Sequence, residues 1–211
     1  MTSTKSLPDR SRTRAVIFDL GKVLVDFDYR IAARAMSPHS RLAPDEFKQV
    51  IDQSPLLGQY ESGRLTTAEF EAEVRRLTGY GGSPDHFREA FANIFEEIPE
   101  MTRLKDEIRQ RGIPAFIFSN TNEIAVEHIR RQFPFFEGFD GFVLSYEIGA
   151  IKPDAEAYAA VERATGFRGP ELLYLDDRAD NIAGARPHGW QAILHETPAA
   201  TRGILSNLLT R

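Results

Sequence analysis

The chain has 211 residues, 42% hydrophobic and 27% charged, a globular composition that excludes a disordered chain and allows one sizeable domain with a large insertion. A net charge of −5 gives no electrostatic ground for a nucleic-acid partner, and the absence of cysteine excludes disulfides, thiolate metal sites and cysteine nucleophiles. No apolar run is long enough to span a bilayer, so no membrane partner is expected. The opening segment "MTSTKSLPDRSRTR" is polar and basic and lacks the apolar stretch of a secretory signal. Residues 1–13 are therefore expected to form a flexible tail, and the cytoplasm is the expected location.

The first predicted element is a strand in "RAVIFDL" (14–20), after which residues 27–99 read as entirely helical. Within that stretch "APDEFKQVIDQS" and "SPDHFREAFANIFEEI" each open on Pro-Asp after a small residue, a helix-start signal. "LTTAEFEAEVRRLTG" carries Thr66 three residues before Glu69, the spacing of a capping box, and closes at Gly79. From residue 100 the pattern alternates. A helix over 100–112 sets Met101, Leu104 and Ile108 on one face and precedes a strand in "PAFIFSN" (114–120). A helix at 122–133, a strand in "GFVLSYE" (141–147) and a helix at 153–166 follow. A strand in "ELLYLDD" (171–177), a helix at 178–189 and a strand in "WQAIL" (190–194) complete the series.

These strands are continuously apolar rather than alternating, which suits a parallel sheet buried on both faces. The expected fold is a doubly wound α/β sheet built from residues 14–26 and 100–211, with a helical insertion at 27–99.

Ligands of open α/β sheets bind beyond the carboxyl ends of the strands. There the sequence places Asp19, Ser119-Asn120 and Asp176-Asp177, with Lys152 just ahead of a helix begun by Pro153. Singly, each has an ordinary role as a cap, turn or solvated residue. Together they form a set for phosphoryl transfer. Asp19 is the candidate nucleophile. Ser119, Asn120 and the N–H groups that follow are candidates for the phosphate oxygens, and Lys152 for offsetting negative charge. Asp177, with Asp176, is a candidate for holding Mg²⁺, whose preference is for a few carboxylates and waters.

In order and context the motifs "FDLGKVL", "IFSN", "KPDAEAY" and "LDDRADN" resemble the haloacid dehalogenase (HAD) superfamily, across nearly the whole chain. The resemblance implies a HAD-like α/β core, a C1-type cap at 27–99 and a metal site of Asp19, the Gly21 carbonyl and Asp177. It also implies an outer role for Asp176 and Asn181 in orienting ligands or water. "FDLG" and the stretch "GQYESGRLTTAEF" resemble most the sugar-1-phosphate phosphatase branch. That implies Mg²⁺-dependent hydrolysis of a small phosphorylated metabolite, with α-glucose-1-phosphate as a candidate, by a monomer or homodimer.

One position departs from the pattern. Most phosphatases of the superfamily carry an aspartate two residues past the nucleophile, which gives a proton to the leaving oxygen; here that residue is Gly21. Asp26, Asp28, Tyr60, Glu61 and Lys22 are candidates for moving the proton, each with a structural role as its alternative. Gly21→Asp is expected to raise activity on esters with poor leaving groups. Two other functions stay open, a catalytically silent scaffold and a 2-haloacid dehalogenase, although the Asp176-Asp177 pair does not suit the second. His39, His86, His128, His188 and His195 show no metal-ligand spacing. The phenylalanines from Phe133 to Phe142 are read as core packing or, alternatively, a dimer surface.

Overall fold

The structure is a computed structural model describing residues 8–209. Its strands among these residues are β1 (Ala15–Phe18), β2 (Val25–Phe27), β3 (Phe95–Glu97), β4 (Ala115–Ser119), β5 (Gly141–Leu144), β6 (Leu172–Asp176) and β7 (Gln191–Leu194). Five of them form one parallel sheet in the order β5-β4-β1-β6-β7. β1 lies at its centre, so its carboxyl end opens between those of β4 and β6.

The helices are α1 (Tyr29–Met36), α2 (Pro44–Asp52), α3 (Pro55–Glu61), α4 (Thr67–Thr78), α5 (Pro84–Ala92) and α6 (Pro99–Arg109). They continue with α7 (Glu123–Gln132), α8 (Ser145–Ile148), α9 (Ala155–Thr165), α10 (Ala179–Ala185), α11 (Pro198–Ile204) and α12 (Ser206–Leu209). No helix among the described residues is long and apolar enough to cross a membrane.

Alternation along β1 divides the core. Val16 and Phe18 pack with Met101, Leu104 and Ile108 of α6, while Ala15 and Ile17 face Ala157, Tyr158 and Val161 of α9. Both faces of the sheet are thereby covered, which accounts for strands without polar alternation. Phe136 and Phe139 are buried in the first cluster and Phe133, Phe135 and Phe142 pack against it, so these rings are core.

Helices α1 to α5 enclose an apolar cluster of their own, around Phe47, Phe70, Phe87 and Phe91. The Thr66–Glu69 capping box opens α4, with the Glu69 carboxylate accepting the Thr66 N–H at 2.8 Å, and Gly79 ends it in the left-handed region at φ 67°.

Two expectations need correction. Residues 27–99 are not wholly helical: β3 pairs antiparallel with β2, with Phe27 opposite Phe95, so a two-stranded ribbon carries the chain out to the helices and back. Three-residue strands leave no periodic signal, and the cross-strand packing of Phe27 on Phe95, with ring centroids 6.1 Å apart, cannot be read locally. The tail expected over 1–13 lies partly outside the described residues, at 1–7. Residues 8–13, by contrast, are docked: Pro8 is buried, the Asp9 N–H reaches Gln191 Oε1 at 2.6 Å, and the Pro8 carbonyl accepts from Asn207 Nδ2 at 2.6 Å.

Candidate active site

Three strands deliver carboxyl-end residues to one place. Asp19 directly follows β1, Ser119 ends β4, and Asp176 ends β6 with Asp177 beyond it; Lys152 enters from the loop between α8 and α9. The Lys152 ammonium, itself buried, meets Asp19 Oδ1 at 2.8 Å and Asp176 Oδ2 at 2.7 Å, and donates to the Phe118 carbonyl at 2.9 Å. Its three donors are thus all used. Burial alone would lower the lysine pKa, but the two carboxylates outweigh it and hold the amine above its ordinary value. Burial pushes the Asp19 carboxyl up, Lys152 opposes this, and Asp176 adds to it.

Asp176 is fully buried and well supplied with donors. Besides Lys152 it accepts from the Tyr174 hydroxyl, from the Arg178 N–H at 2.8 Å, and from Asn181 Nδ2 at 3.0 Å. Asp177 is half-buried, and burial together with Asp176 raises its pKa. Carboxylate oxygens of Asp19, Asp176 and Asp177 all lie within 4.8 Å of one another. Three carboxylates against one buried ammonium leave an excess of about two negative charges when all are ionised, and the donors are hard oxygens, so the set fits a divalent cation such as Mg²⁺. Since Asp176 is committed to its donors, Asp19 and Asp177 are the side chains that would hold the ion.

Asn120 was expected at the phosphate, and the structure corrects this for its side chain. Asn120 Oδ1 accepts the Lys152 N–H at 2.7 Å and Nδ2 donates to the Lys152 carbonyl at 2.9 Å, so the amide fixes the lysine backbone instead. The Thr121 N–H is also committed, to Ser145 Oγ at 2.9 Å. The Ser119 hydroxyl makes only a long contact of 3.3 Å with the Asn120 carbonyl.

Ser145 was missed from sequence, as were Tyr174 and Phe27. Ser145 immediately follows β5, so the strand-end rule that selected Asp19, Ser119 and Asp176 would have found it. Its hydroxyl donates to the Glu61 carbonyl at 2.5 Å, tying the end of α3 to the loop after β4.

At Gly21 the structure overturns the expected gain from an added aspartate. A Cβ there would lie 2.8 Å from Phe27 Cε1, because the Phe27 ring occupies the direction that side chain would take. The ring is held edge-on to Tyr29, with centroids 5.7 Å apart, and by the Lys22 ammonium 4.7 Å from its centroid. Gly21→Asp is now expected to cost about 1–3 kcal/mol of stability by overpacking and to leave activity on poor leaving groups unimproved. Urea unfolding and rates on phenyl phosphate check this; full stability with a faster rate would show that the ring yields.

The proton-carrier candidates separate clearly. Asp26 is bound by Lys22, which holds its pKa down, and Asp28 caps α1, its carboxyl lowered to about 2 by Arg30. Tyr60 is buried, stacked on Phe70 and hydrogen-bonded to Thr67 Oγ1 at 2.7 Å. Glu61 differs from all of these: burial raises its carboxyl to about 7 against the opposing charges of Lys152 and Arg178. None of the histidines lies in the carboxylate cluster.

A parallel sheet of this order, with a buried carboxylate directly after its central strand and a lysine bridging it to Asp176, is the arrangement to compare with known hydrolases. The model of the haloacid dehalogenase-like hydrolases matches residues 13–189, and the chain belongs to that family. It is 25% identical over 202 residues to the D-ribitol-5-phosphate phosphatase of Bacteroides thetaiotaomicron, covering 92% of this chain and 97% of that protein. It is 27% identical over 205 residues to phosphatase MT3486 of Mycobacterium tuberculosis, covering 92% and 93%. Among solved structures it is similar to a HAD family enzyme of Bacteroides thetaiotaomicron, an alanine variant in complex with magnesium and inorganic phosphate. That match has a TM-score of 0.73 at 23% identity and covers 86% of this chain and 93% of the other.

Proposed function

We propose that the chain is a Mg²⁺-dependent phosphomonoesterase of small phosphorylated metabolites. The observation that carries this reading is the buried Lys152 ammonium between Asp19 and Asp176, with Asp177 completing a carboxylate cluster within 4.8 Å. Asp19 Oδ attacks phosphorus, the bond to the ester oxygen breaks, and an aspartyl phosphate forms; water then attacks phosphorus and frees Asp19. Lys152 keeps Asp19 oriented and offsets the charge that the phosphate brings, and Ser119 with the Asn120 N–H takes phosphate oxygens. Asn120 and Asn181 act outside the reacting atoms, holding Lys152 and Asp176 in place. When bound, Mg²⁺ would be held by Asp19, Asp177 and the Gly21 carbonyl, and would neutralise charge on the transferring group.

The helical stretch at 27–99 serves as a C1-type cap that excludes water and selects the substrate. The name of the D-ribitol-5-phosphate phosphatase, and the likeness of "FDLG" to the sugar-1-phosphate branch, support a sugar or sugar-alcohol phosphate. A 2-haloacid dehalogenase is disfavoured, since attack on carbon has no use for the Asp176-Asp177 pair. The test is phosphate release from a panel containing D-ribitol 5-phosphate, α-glucose-1-phosphate and p-nitrophenyl phosphate, with Mg²⁺ and with chelator. Metal-dependent release is expected. Absence of release from every ester would favour a catalytically silent scaffold.

A further inference from the structure

We propose that Glu61, supplied by the helical stretch rather than by the loop after Asp19, is the general acid and base of this site. The proposal rests on the phosphatase reading above. Two observations set the need. Gly21 carries no side chain, and the Phe27 ring fills the space through which one would extend, with its Cε1 2.8 Å from where a Cβ would stand. The loop after β1 therefore has no group for the leaving oxygen and no room for one.

Three observations place Glu61 there. It lines a small cavity of ≈ 40 Å³ together with Gly21, Phe27, Tyr29, Ser119 and Asn120, so it borders the same space as the site's phosphate-facing edge. Its backbone carbonyl is fastened by Ser145 Oγ at 2.5 Å, and the same oxygen takes the Thr121 N–H at 2.9 Å, two residues beyond Ser119. The end of α3 is thus anchored to the active-site loop. Its carboxylate has no hydrogen-bond or ion-pair partner among the described residues, whereas Asp26 and Asp28 are both bound to cations. Burial raises its pKa to about 7, the range in which one carboxyl can both donate and accept a proton. The charged groups acting on it are Lys152 and Arg178, and the partly buried phenol of Tyr29 is its neighbour from α1.

The cycle balances. Asp19 attacks phosphorus as the P–O bond to the leaving group breaks, and the Glu61 proton passes to that oxygen to release an alcohol. The Glu61 carboxylate then takes a proton from the water that attacks phosphorus, which releases phosphate and restores both residues.

The experiment compares wild type, Glu61→Gln and Asp19→Asn as full chains with Mg²⁺, on p-nitrophenyl phosphate and on phenyl phosphate, whose leaving group needs a proton far more. For Glu61→Gln, kcat/KM on phenyl phosphate is expected to fall about 100-fold or more, and on p-nitrophenyl phosphate much less. A burst of p-nitrophenolate ahead of slow turnover is expected as well, because attack of water on the phosphorus of the aspartyl phosphate has lost its base. In wild type, kcat/KM on phenyl phosphate should decline as pH rises through the Glu61 pKa, since the donor must be protonated; the variant should lack that limb. Equal loss on both esters, or a variant within a few-fold of wild type with the limb intact, overturns the assignment. Should Glu61→Gln not fold, the wild-type profiles decide: a limb on phenyl phosphate that is absent on p-nitrophenyl phosphate supports it, and no limb on either overturns it. If wild type releases no phosphate that depends on metal and is lost in Asp19→Asn, the phosphatase reading fails and Glu61's role falls with it.

Discussion

Asp19→Asn is expected to reduce metal-dependent phosphate release by about 10⁴-fold or more, the scale on which loss of a covalent nucleophile falls. The substitution is close to isosteric. The amide oxygen can still accept the Leu20 N–H, now 2.7 Å from Oδ1, and still face the Lys152 ammonium at 2.8 Å. It also removes one buried negative charge from a cluster that holds three carboxylates against one ammonium, so the fold should be kept or slightly stabilised. Phosphate release and a thermal melt with chelator check both halves. Turnover above background in a clean preparation would overturn the nucleophile, and a collapse of the melt would show that the charge has a structural role.

Lys152→Met should have the other large effect, on stability as well as on rate. It leaves Asp176 fully buried and Asp19 nearly so, with no cation between them, and breaking a buried pair in this way costs about 3–5 kcal/mol. The effect has a pH signature. Burial already raises the Asp19 carboxyl to about 7 and Lys152 opposes that rise; without the ammonium Asp19 stays above its unfolded value, so the folded chain binds more protons over that interval. The penalty is therefore smallest below the ordinary aspartate pKa and grows as pH rises toward the raised folded value of Asp19. Urea unfolding with chelator at several pH values measures this. A destabilisation that does not change with pH would mean that lost packing, rather than unpaired charge, is responsible.

Much of this was legible in the chain. The sheet strands were visible because burial on both faces makes each an uninterrupted apolar run, as in β6, where every residue is buried. The site was visible because such runs stop abruptly at Asp19, Ser119 and Asp176, and a polar residue at the end of a buried strand needs a reason. What escaped depends on residues distant in sequence. The Phe27 ring beside Gly21 follows from the pairing of β2 with β3 across the whole helical stretch. Glu61 could not be ranked above Asp26 or Asp28 on composition, because the difference is burial and the absence of a cation, and both arise only when α3 docks against the loop after β4. The role of the Asn120 side chain is hidden for a related reason: its amide is spent on Lys152, 32 residues away.

The β2–β3 ribbon bears on how such a molecule can diversify. Phe27 and Phe95 stand opposite one another, the Asp28 N–H donates to the Ile94 carbonyl, and the Ile98 N–H donates to the Leu24 carbonyl. Everything between those residues leaves and re-enters through neighbouring backbone, so its length is nearly free of closure cost and its sequence can drift without disturbing Asp19. In a relative that keeps its proton donor beside the nucleophile, that stretch is an interchangeable part. Here it carries Glu61, so a lineage with glycine at position 21 inherits substrate choice and proton transfer as one unit and cannot exchange the first without risking the second.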